Sequence, residues 1–348
     1  MNSAPHSRPV KHRGSIMHDP EITIVVDAGA RYGMYPSWRD FGGPLSYFAF
    51  EPDCSEADRL RAQINPPGFE VIASALGRTA GQGVLHSTKH RGCSSLLRPD
   101  LSSDWFSSYR PDEGEVEQTQ SVEIMTIDDF AKERQARVEF LKVDTEGTEL
   151  DVLKGGEHQV TENVMGVRVN VNFQPAYTGH QLFPEIHCFL ASKDFILLNF
   201  DYFGKGLPRF DLFRNPDPLT LEVERYGVLT GTDAVWIKPY ERIISQEARN
   251  STDLAYTTMK YSYFCYLNHA ADVGLDALTQ YLSYEDHTFA SVQESQLYKA
   301  LRKTWATYLG RWRVYPDMQW ELAQRTFKKA FELDLEPGNK YWELIQSL

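Results

Sequence analysis

The stretch VVDAGARYG, residues 25–33, contains the pattern from which an α/β fold can be inferred. A run of β-branched residues passes directly into Gly29 and Gly33, as expected where a buried parallel strand turns into the next helix. Glycine permits a tight turn there and lets a ligand approach the backbone closely. The stretch therefore predicts a first strand at residues 22–30 and a ligand site on the turn that follows it.

A second feature, FEPD at residues 50–53, supports the same site. Glu51 stands 22 positions beyond Gly29, at the predicted carboxyl end of the next strand. In nucleotide-binding α/β folds an acid at this place accepts hydrogen bonds from ribose hydroxyls. The alternative is a glycine-bearing loop and a surface glutamate that coincide by chance. Because each feature predicts the position of the other, we favour a nucleotide-like ligand.

The turn also distinguishes between nucleotides. The dinucleotide fingerprint G-x-G-x-x-G needs a middle glycine to make room for a pyrophosphate, and Arg31 stands at that position. Asp27, just before the turn, suits a cationic group better than a phosphate. The zwitterionic tail and sulfonium of S-adenosylmethionine fit these residues, whereas the pyrophosphate of NAD does not. An NAD-dependent oxidoreductase or epimerase is therefore the less favoured reading.

The rest of the chain predicts an α/β domain at residues 21–240 after a flexible segment at residues 1–20. Residues 78–122, punctuated by glycine and proline, are predicted to form a long lid or binding loop. Ser55 and the acids after it suit the start of a helix. Apolar runs predict further strands at residues 45–53, 69–77, 138–144, 164–173, 195–203 and 233–239, and amphipathic spacing predicts helices at residues 55–64, 127–135 and 148–156.

Residues 241–348 show helical spacing without strand-like alternation, as in LYKALRKTWATYL and ELAQRTFKKAFEL. We predict a helical C-terminal appendage, rich in aromatic residues that pack between helices. The aromatic residues have two alternative roles. They could form the interface of a homodimer, or they could line a groove that stacks sugars. They are Tyr261, Tyr263, Phe264, Tyr266, Trp305, Trp312, Trp320, Tyr341 and Trp342.

Composition excludes several classes of protein. The net charge of −12 argues against nucleic acid as the main partner. No run approaches the roughly 20 apolar residues that span a bilayer, and residues 1–20 lack the apolar core of a signal peptide, so we expect a cytoplasmic protein without a membrane span. The four cysteines form no C-x-x-C pair, which predicts reduced thiols rather than disulfides or a zinc ribbon.

Several motifs occur in an order that resembles the FkbM-type methyltransferases. They are VVDAGARYG, FEPD, ALG (75–77), GCSSLL (92–97), TIDDF (126–130), LKVDTEGTELDVLKGG (141–156), QPAYTGHQLF (174–183) and TDAVWIK (232–238). The resemblance implies a class I methyltransferase sheet of seven mostly parallel strands, the last antiparallel, with helices on both faces. It also implies transfer of a methyl group from S-adenosylmethionine to a hydroxyl of a sugar, glycan or glycosylated metabolite, as in polysaccharide biosynthesis.

The resemblance assigns the cofactor residues by position. Asp27, Gly29, Ala30 and Gly33 correspond to the loop around the methionine moiety, Glu51 with Pro52 to the ribose contact, and Ser74, Ala75 and Leu76 to the adenine contact. The sequence departs from the family pattern at Arg31, where an asparagine-like residue is usual, and at Asn170 and Asn172, where acids are common.

Catalytic residues are sought beyond the carboxyl ends of the strands, where ligands bind in this fold. Asp144 is the first candidate for a base or for orienting the acceptor, and the alternative is that it holds the cofactor or caps the following helix. Glu146 and Glu149 suit the first turn of that helix, where they offset its dipole. His90 is the second candidate base, unless it is a solvated surface residue. We assign no metal, and a non-catalytic S-adenosylmethionine-binding or scaffold protein is the remaining alternative function.

Overall fold

The computed structural model describes residues 19–63, 65–109, 112–201, 228–245, 250–284 and 287–311. The predicted flexible segment at residues 1–20 therefore lies almost entirely outside the described residues. The predicted helix ELAQRTFKKAFEL and the aromatic residues Trp312, Trp320, Tyr341 and Trp342 also lie outside them. No helix in the described ranges is long and apolar enough to cross a membrane.

Strands and helices alternate up to residue 237, and the described elements beyond it are helical. The strands are β1 (Thr23–Ala28), β2 (Leu45–Phe50), β3 (Phe69–Ile72), β4 (Ala75–Leu76), β5 (Gly81–Thr88), β6 (Val116–Met125), β7 (Phe140–Val143), β8 (Gly166–Asn172), β9 (Ile196–Phe200) and β10 (Gly231–Ile237). The α-helices are α1 (Pro36–Arg39), α2 (Cys54–Arg61), α3 (Ile127–Arg134), α4 (Glu149–Gly155), α5 (Glu157–Glu162), α6 (Phe183–Ala191), α7 (Tyr240–Ile244), α8 (Ser251–Leu267), α9 (Ala271–Ser283) and α10 (Gln296–Arg311).

The central sheet has seven strands in the order β3-β2-β1-β7-β8-β10-β9. The first five in this order are parallel, and β10 runs antiparallel to both β8 and β9. This is the class I methyltransferase sheet predicted from the sequence. Because β1, β2 and β7 are adjacent and parallel, the turn after β1, Glu51 and Asp144 meet at one edge of the sheet.

Alternate residues of the strands pack on opposite faces of the sheet. Val26, Leu141 and Trp236 belong to a core covered by α3, α4, α5 and α6. Val25 and Phe140 belong to the other core, together with residues of α1, α2 and the α-helices that the structure describes after β10. The result is a sheet between two helical layers.

The helices after β10 share a core with the sheet. Phe264 of α8 stacks on Phe140 of β7, with ring centroids 4.6 Å apart, and Gly166 of β8 leaves the room that its ring occupies. Tyr261, Tyr263 and Trp305 are also buried. Packing between elements, the favoured role for these aromatic residues, is confirmed for those within the described ranges. The division into an α/β domain and an appendage near residue 240 stays a prediction.

The structure differs from the sequence-based assignments at residues 69–77 and 78–122. The predicted strand at residues 69–77 ends at Ile72, and its second part, β4, leaves the main sheet to pair with β6. The predicted loop at residues 78–122 contains β5 and much of β6, which pair antiparallel and form a three-stranded sheet with β4. Most residues of β6 are exposed, so the strand lacks the apolar alternation by which strands are recognised.

The start of α2 also differs. Asp53, not Ser55, is the N-cap residue, and its carboxylate accepts hydrogen bonds from the backbone N–H groups of Ser55 and Glu56. Aspartate and serine are both common N-cap residues. The helix begins at Cys54, one residue before Ser55, because Asp53 at the end of the FEPD segment is the residue that caps it.

A buried ion pair joins α8 to the sheet. The ammonium of Lys260 lies 2.8 Å from Oε1 of Glu139 and donates to the carbonyl of Ile22, while Glu139 also accepts from the N–H of Ile24. Lys260→Met leaves the carboxylate of Glu139 without its countercharge, so we expect the free energy of unfolding to fall by about 3–5 kcal/mol.

Urea denaturation followed by circular dichroism measures this loss. Lys193→Met, which breaks an exposed pair with Glu157, is the matched control and is expected to cost less than about 1 kcal/mol. Equal losses in the two variants would contradict the role assigned to Lys260.

Candidate active site

A cavity opens at the carboxyl edge of β1, β2 and β7, with about 90 Å³ of space for the centres of water-sized molecules. Its walls come from the turn after β1, the FEPD segment, β4, the segment after β5 and the tip of β7. The lining residues are Gly29, Arg31, Tyr32, Phe50, Glu51, Pro52, Ala75, Leu76, Leu85, Arg91, Gly92, Ser94, Ser95, Leu96, Asp144, Thr145, Glu146 and Thr148.

The turn after β1 is fixed by backbone contacts. The N–H groups of Gly29 and Ala30 both donate to the carbonyl of Phe50, at 3.1 and 3.0 Å. Gly29 has a φ of +84°, which favours glycine, and a Cβ added there would lie 1.8 Å from the carbonyl oxygen of Asp144. The turn therefore touches the end of β7 directly, and only glycine fits at this position.

Glu51 is a buried acid in the cavity wall. Its Oε1 accepts from the N–H of Asp53 at 2.9 Å, and the guanidinium of Arg31 lies 3.9 Å from Glu51 and 3.5 Å from Asp53. Burial raises the pKa of Glu51 to about 7, although the Asp53 N–H and Arg31 oppose this shift. Arg31, at the position of the middle glycine of the dinucleotide fingerprint, therefore forms ion pairs with the two carboxylates of the FEPD segment.

Lys142 joins three groups beneath the cavity. Its ammonium lies 3.1 Å from Asp27 and 3.4 Å from Asp144, and it donates to the carbonyl of Gly29 at 2.9 Å. Burial disfavours the charged form, but Asp27 and Asp144 together hold the pKa of Lys142 above its ordinary value. The hydroxyl of Tyr47 donates to the fully buried Asp27 on its other side. A charged lysine therefore fixes the tip of β7 relative to the turn.

Asp144 is the acid that lines the cavity at the tip of β7. Its side chain is 37% exposed, although it lies 3.4 Å from the ammonium of Lys142. Desolvation raises the pKa of Asp144, with a further contribution from the charge of Asp233, while Lys142 lowers it. Asp144 is therefore oriented by a cation and still open to a ligand.

Glu146 and Glu149 stabilise the loop between β7 and α4. Glu149 is buried and accepts from the N–H groups of Thr145 and Gly147, and burial raises its pKa to about 7. The carboxylate of Glu146 accepts from the hydroxyl of Tyr177 at 2.8 Å. The two glutamates therefore bind groups of the protein, with Glu149 satisfying backbone donors just before α4.

His90 lies outside the cavity lining, beside the wall formed by Arg91 and Gly92. Its Nδ1 is 3.7 Å from the Sγ of Cys93 and 3.9 Å from Oε2 of Glu113. The ring faces these two groups, so we do not include His90 among the residues of the proposed mechanism.

Residues 27–197, about half of the chain, match the family model described as the methyltransferase FkbM domain. The chain belongs to the FkbM methyltransferase family. The matched range contains the turn after β1, Glu51, the Lys142 network and Asp144.

Two individual proteins are similar to this chain. Methyltransferase 1 of Beauveria bassiana (strain ARSEF 2860) is 29% identical over 147 residues, covering 39% of this chain and 59% of that protein. The chain thus spans less than two thirds of that relative's length. The crystal structure of methyltransferase FkbM from Methylobacillus flagellatus KT aligns with a TM-score of 0.34 and 14% identity, over 62% of this chain and 44% of that chain.

The structure brings six of the assigned site residues to the cavity: Gly29, Glu51, Pro52, Ala75, Leu76 and Asp144. Asp27, Ala30, Gly33 and Ser74 do not line it. Asp27 is held under the sheet edge by Lys142 and Tyr47, and the hydroxyl of Ser74 donates to the carbonyls of Ala75 and Glu123. Ala30 is buried, and Gly33 lies on the far side of the turn, near Leu60.

Sequence reasoning missed Lys142 and the cavity residues Leu85, Arg91 and Thr145. The role of Lys142 could have been predicted from the sequence, because a charged residue within the buried strand FLKV needs a partner of opposite charge nearby. Leu85 and Arg91 belong to the segment predicted to be a loop, where no periodicity indicates which side chains face the site.

Proposed function

We propose that this FkbM methyltransferase transfers a methyl group from S-adenosylmethionine to a hydroxyl of a sugar, glycan or glycosylated metabolite. The observation that carries the proposal is the convergence of a left-handed glycine turn, a buried acid and a cation-oriented carboxylate on one cavity. Gly29, Glu51 and Asp144 supply these features from three adjacent strand ends.

The residues in the cavity fit this cofactor. Glu51 offers a carboxylate to ribose hydroxyls, and Ala75, Leu76 and Leu85 offer an apolar wall to an adenine ring. Gly29 lines the cavity without a side chain, so a ligand there can approach the backbone of the turn. An NAD pyrophosphate fits less well, because Arg31 fills the place of the middle glycine and pairs with Glu51 and Asp53.

When bound, S-adenosylmethionine supplies an electrophilic methyl group on a sulfonium, and the carbon–sulfur bond electrons stay on sulfur as the new carbon–oxygen bond forms. Asp144 accepts the proton of the attacking hydroxyl, and its raised pKa makes it a better base than an ordinary aspartate. Lys142 holds Asp144 in position through its charge. Positioning supplies much of the rate enhancement for a displacement of this kind.

Transfer of a labelled methyl group tests the proposal. The full chain is incubated with S-adenosylmethionine carrying a tritiated methyl group and a panel of sugars, nucleotide sugars and glycosides. We expect the tritiated methyl group to appear on a hydroxyl of at least one compound of the panel. The deoxy analogue, in which hydrogen replaces that hydroxyl, is expected to receive no label. Tight binding of the cofactor without label transfer to any hydroxyl would favour the non-catalytic alternative.

The affinity for the cofactor is expected to depend on pH through Glu51. The unliganded protein holds a proton on Glu51 below its pKa of about 7, whereas ribose hydroxyls need the carboxylate as acceptor. The complex therefore binds fewer protons, and the affinity rises with pH, by about tenfold between pH 6 and pH 8.

Calorimetric titration with S-adenosylhomocysteine measures this dependence. Glu51→Gln is expected to weaken binding at pH 8 by roughly 10- to 100-fold, as for loss of a hydrogen bond to a charged group, and to flatten the pH profile. Asp58→Asn, an equal charge change on α2 outside the cavity, is the control. Unchanged affinity in Glu51→Gln would refute the ribose contact.

A further inference from the structure

Three side chains of different chemistry converge beside the cavity wall. Nδ1 of His90, Sγ of Cys93 and a carboxylate oxygen of Glu113 all lie within 4.8 Å of one another. His90 and Cys93 flank the short turn that follows β5, and Glu113 precedes β6. The separations from His90 Nδ1 are 3.7 Å to Cys93 Sγ and 3.9 Å to Glu113 Oε2.

The backbone holds the three residues in this arrangement. The N–H of His90 donates to the carbonyl of Glu113 at 3.2 Å, and the N–H of Cys93 donates to the carbonyl of His90 at 2.8 Å. The hydroxyl of Tyr177 donates to the carbonyl of Cys93 at 3.1 Å. The backbone positions of the three residues are therefore fixed by hydrogen bonds that do not involve the ligand atoms themselves.

We propose that His90, Cys93 and Glu113 bind one Zn²⁺ ion. Zinc takes nitrogen, sulfur and carboxylate ligands at about 2.0–2.3 Å in tetrahedral sites, which places pairs of ligand atoms about 3.3–3.6 Å apart. The separations from His90 Nδ1, 3.7 and 3.9 Å, exceed this by a few tenths of an ångström, and the third separation, between Cys93 and Glu113, lies within 4.8 Å. Side-chain rotations of Cys93 and Glu113 would bring the three ligand atoms to the distances that zinc needs. A thiolate, an imidazole and a carboxylate suit zinc better than magnesium or calcium, which prefer oxygen ligands. A fourth position is left for water.

The proposed ion would brace one wall of the cavity. Arg91 and Gly92 lie between the His90 and Cys93 ligands, and Ser94 and Ser95 follow them, and all four residues line the cavity. Coordination would fasten this segment to the residue that leads into β6, Glu113. The site is separate from Gly29, Glu51 and Asp144 and does not depend on the proposed methyl transfer.

Cobalt substitution tests the site, because Zn²⁺ itself has no useful absorption. The purified full chain is stripped with a chelator and titrated with Co²⁺. We expect one Co²⁺ per chain with a thiolate-to-cobalt charge-transfer band, displaced by one equivalent of Zn²⁺. Cys93→Ser is expected to remove the band, and His90→Gln and Glu113→Gln to weaken Co²⁺ binding by at least about tenfold.

Cys54→Ser is the matched control, because Cys54 is an exposed thiol at the start of α2. The charge-transfer band and the Co²⁺ affinity of Cys54→Ser are expected to equal those of the unmodified chain. Zn²⁺ is also expected to raise the melting temperature of the unmodified chain, a result that does not depend on any variant folding. Absence of the charge-transfer band, a band that survives Cys93→Ser, or a melting temperature unaffected by Zn²⁺ would overturn the proposal.

Discussion

Gly29→Ala is expected to abolish methyl transfer and cofactor binding together. The new Cβ would lie 1.8 Å from the carbonyl oxygen of Asp144, so the turn and the end of β7 must separate. That movement pulls the carbonyl of Gly29 from Lys142, which also orients Asp144. Since a displacement of about 1 Å can cost 100-fold in rate, we expect turnover to fall by roughly 100-fold or more.

The matched control for this variant is Gly179→Ala. Gly179 has a nearly identical φ of +81°, but a Cβ added there meets nothing within 4 Å. Both variants carry the strain of a left-handed alanine, about 1–2 kcal/mol, and only Gly29→Ala carries the overlap. The difference in turnover, cofactor affinity and melting temperature between them isolates the contact with β7. Equal turnover, cofactor affinity and melting temperature in the two variants would contradict the assigned contact between Gly29 and β7.

Asp144→Asn is expected to reduce kcat by about 100- to 10,000-fold, the range for loss of a general base. Asparagine keeps the shape of the side chain but cannot accept the hydroxyl proton. Lys142 keeps its contacts with Asp27 and the carbonyl of Gly29, so the fold and the affinity for the cofactor are expected to change by only a few-fold. Single-turnover kinetics and calorimetry separate these two effects.

Asp151→Asn, the same change in α4 and outside the cavity, is the control for this substitution. We expect its kcat to match that of the unmodified chain. An Asp144→Asn variant that retains its kcat and loses affinity for the cofactor instead would assign Asp144 to cofactor binding, the alternative that the sequence left open.

The sequence was sufficient for the parts of the site that depend on local chain geometry. Gly29 and Glu51 follow buried strands, and the spacing between them reflects one strand–helix–strand unit. The topology of the sheet then brings Asp144 to the same edge. These features can be recognised in the sequence itself, as apolar runs, as glycines that follow those runs and as acids at the ends of strands.

Features that depend on packing between distant segments could not be predicted in this way. Whether Asp27 faces a ligand or a lysine depends on the register of β1 against β7, which places it opposite Lys142. The exposed strand β6 has no apolar alternation, so the sheet formed with β5 was not recognised. The contact of Phe264 with Phe140 joins segments far apart in the chain, and helical spacing alone cannot show which surface a helix covers.

The turn after β1 and Glu51 are expected to bind S-adenosylmethionine rather than a dinucleotide. Calorimetric titration of the full chain at pH 8, where Glu51 is mostly ionised, tests it most directly with S-adenosylmethionine and NAD as separate ligands. We predict saturable binding of S-adenosylmethionine at one site per chain and no heat of binding from NAD. Binding of NAD, or no binding of S-adenosylmethionine, would contradict the account.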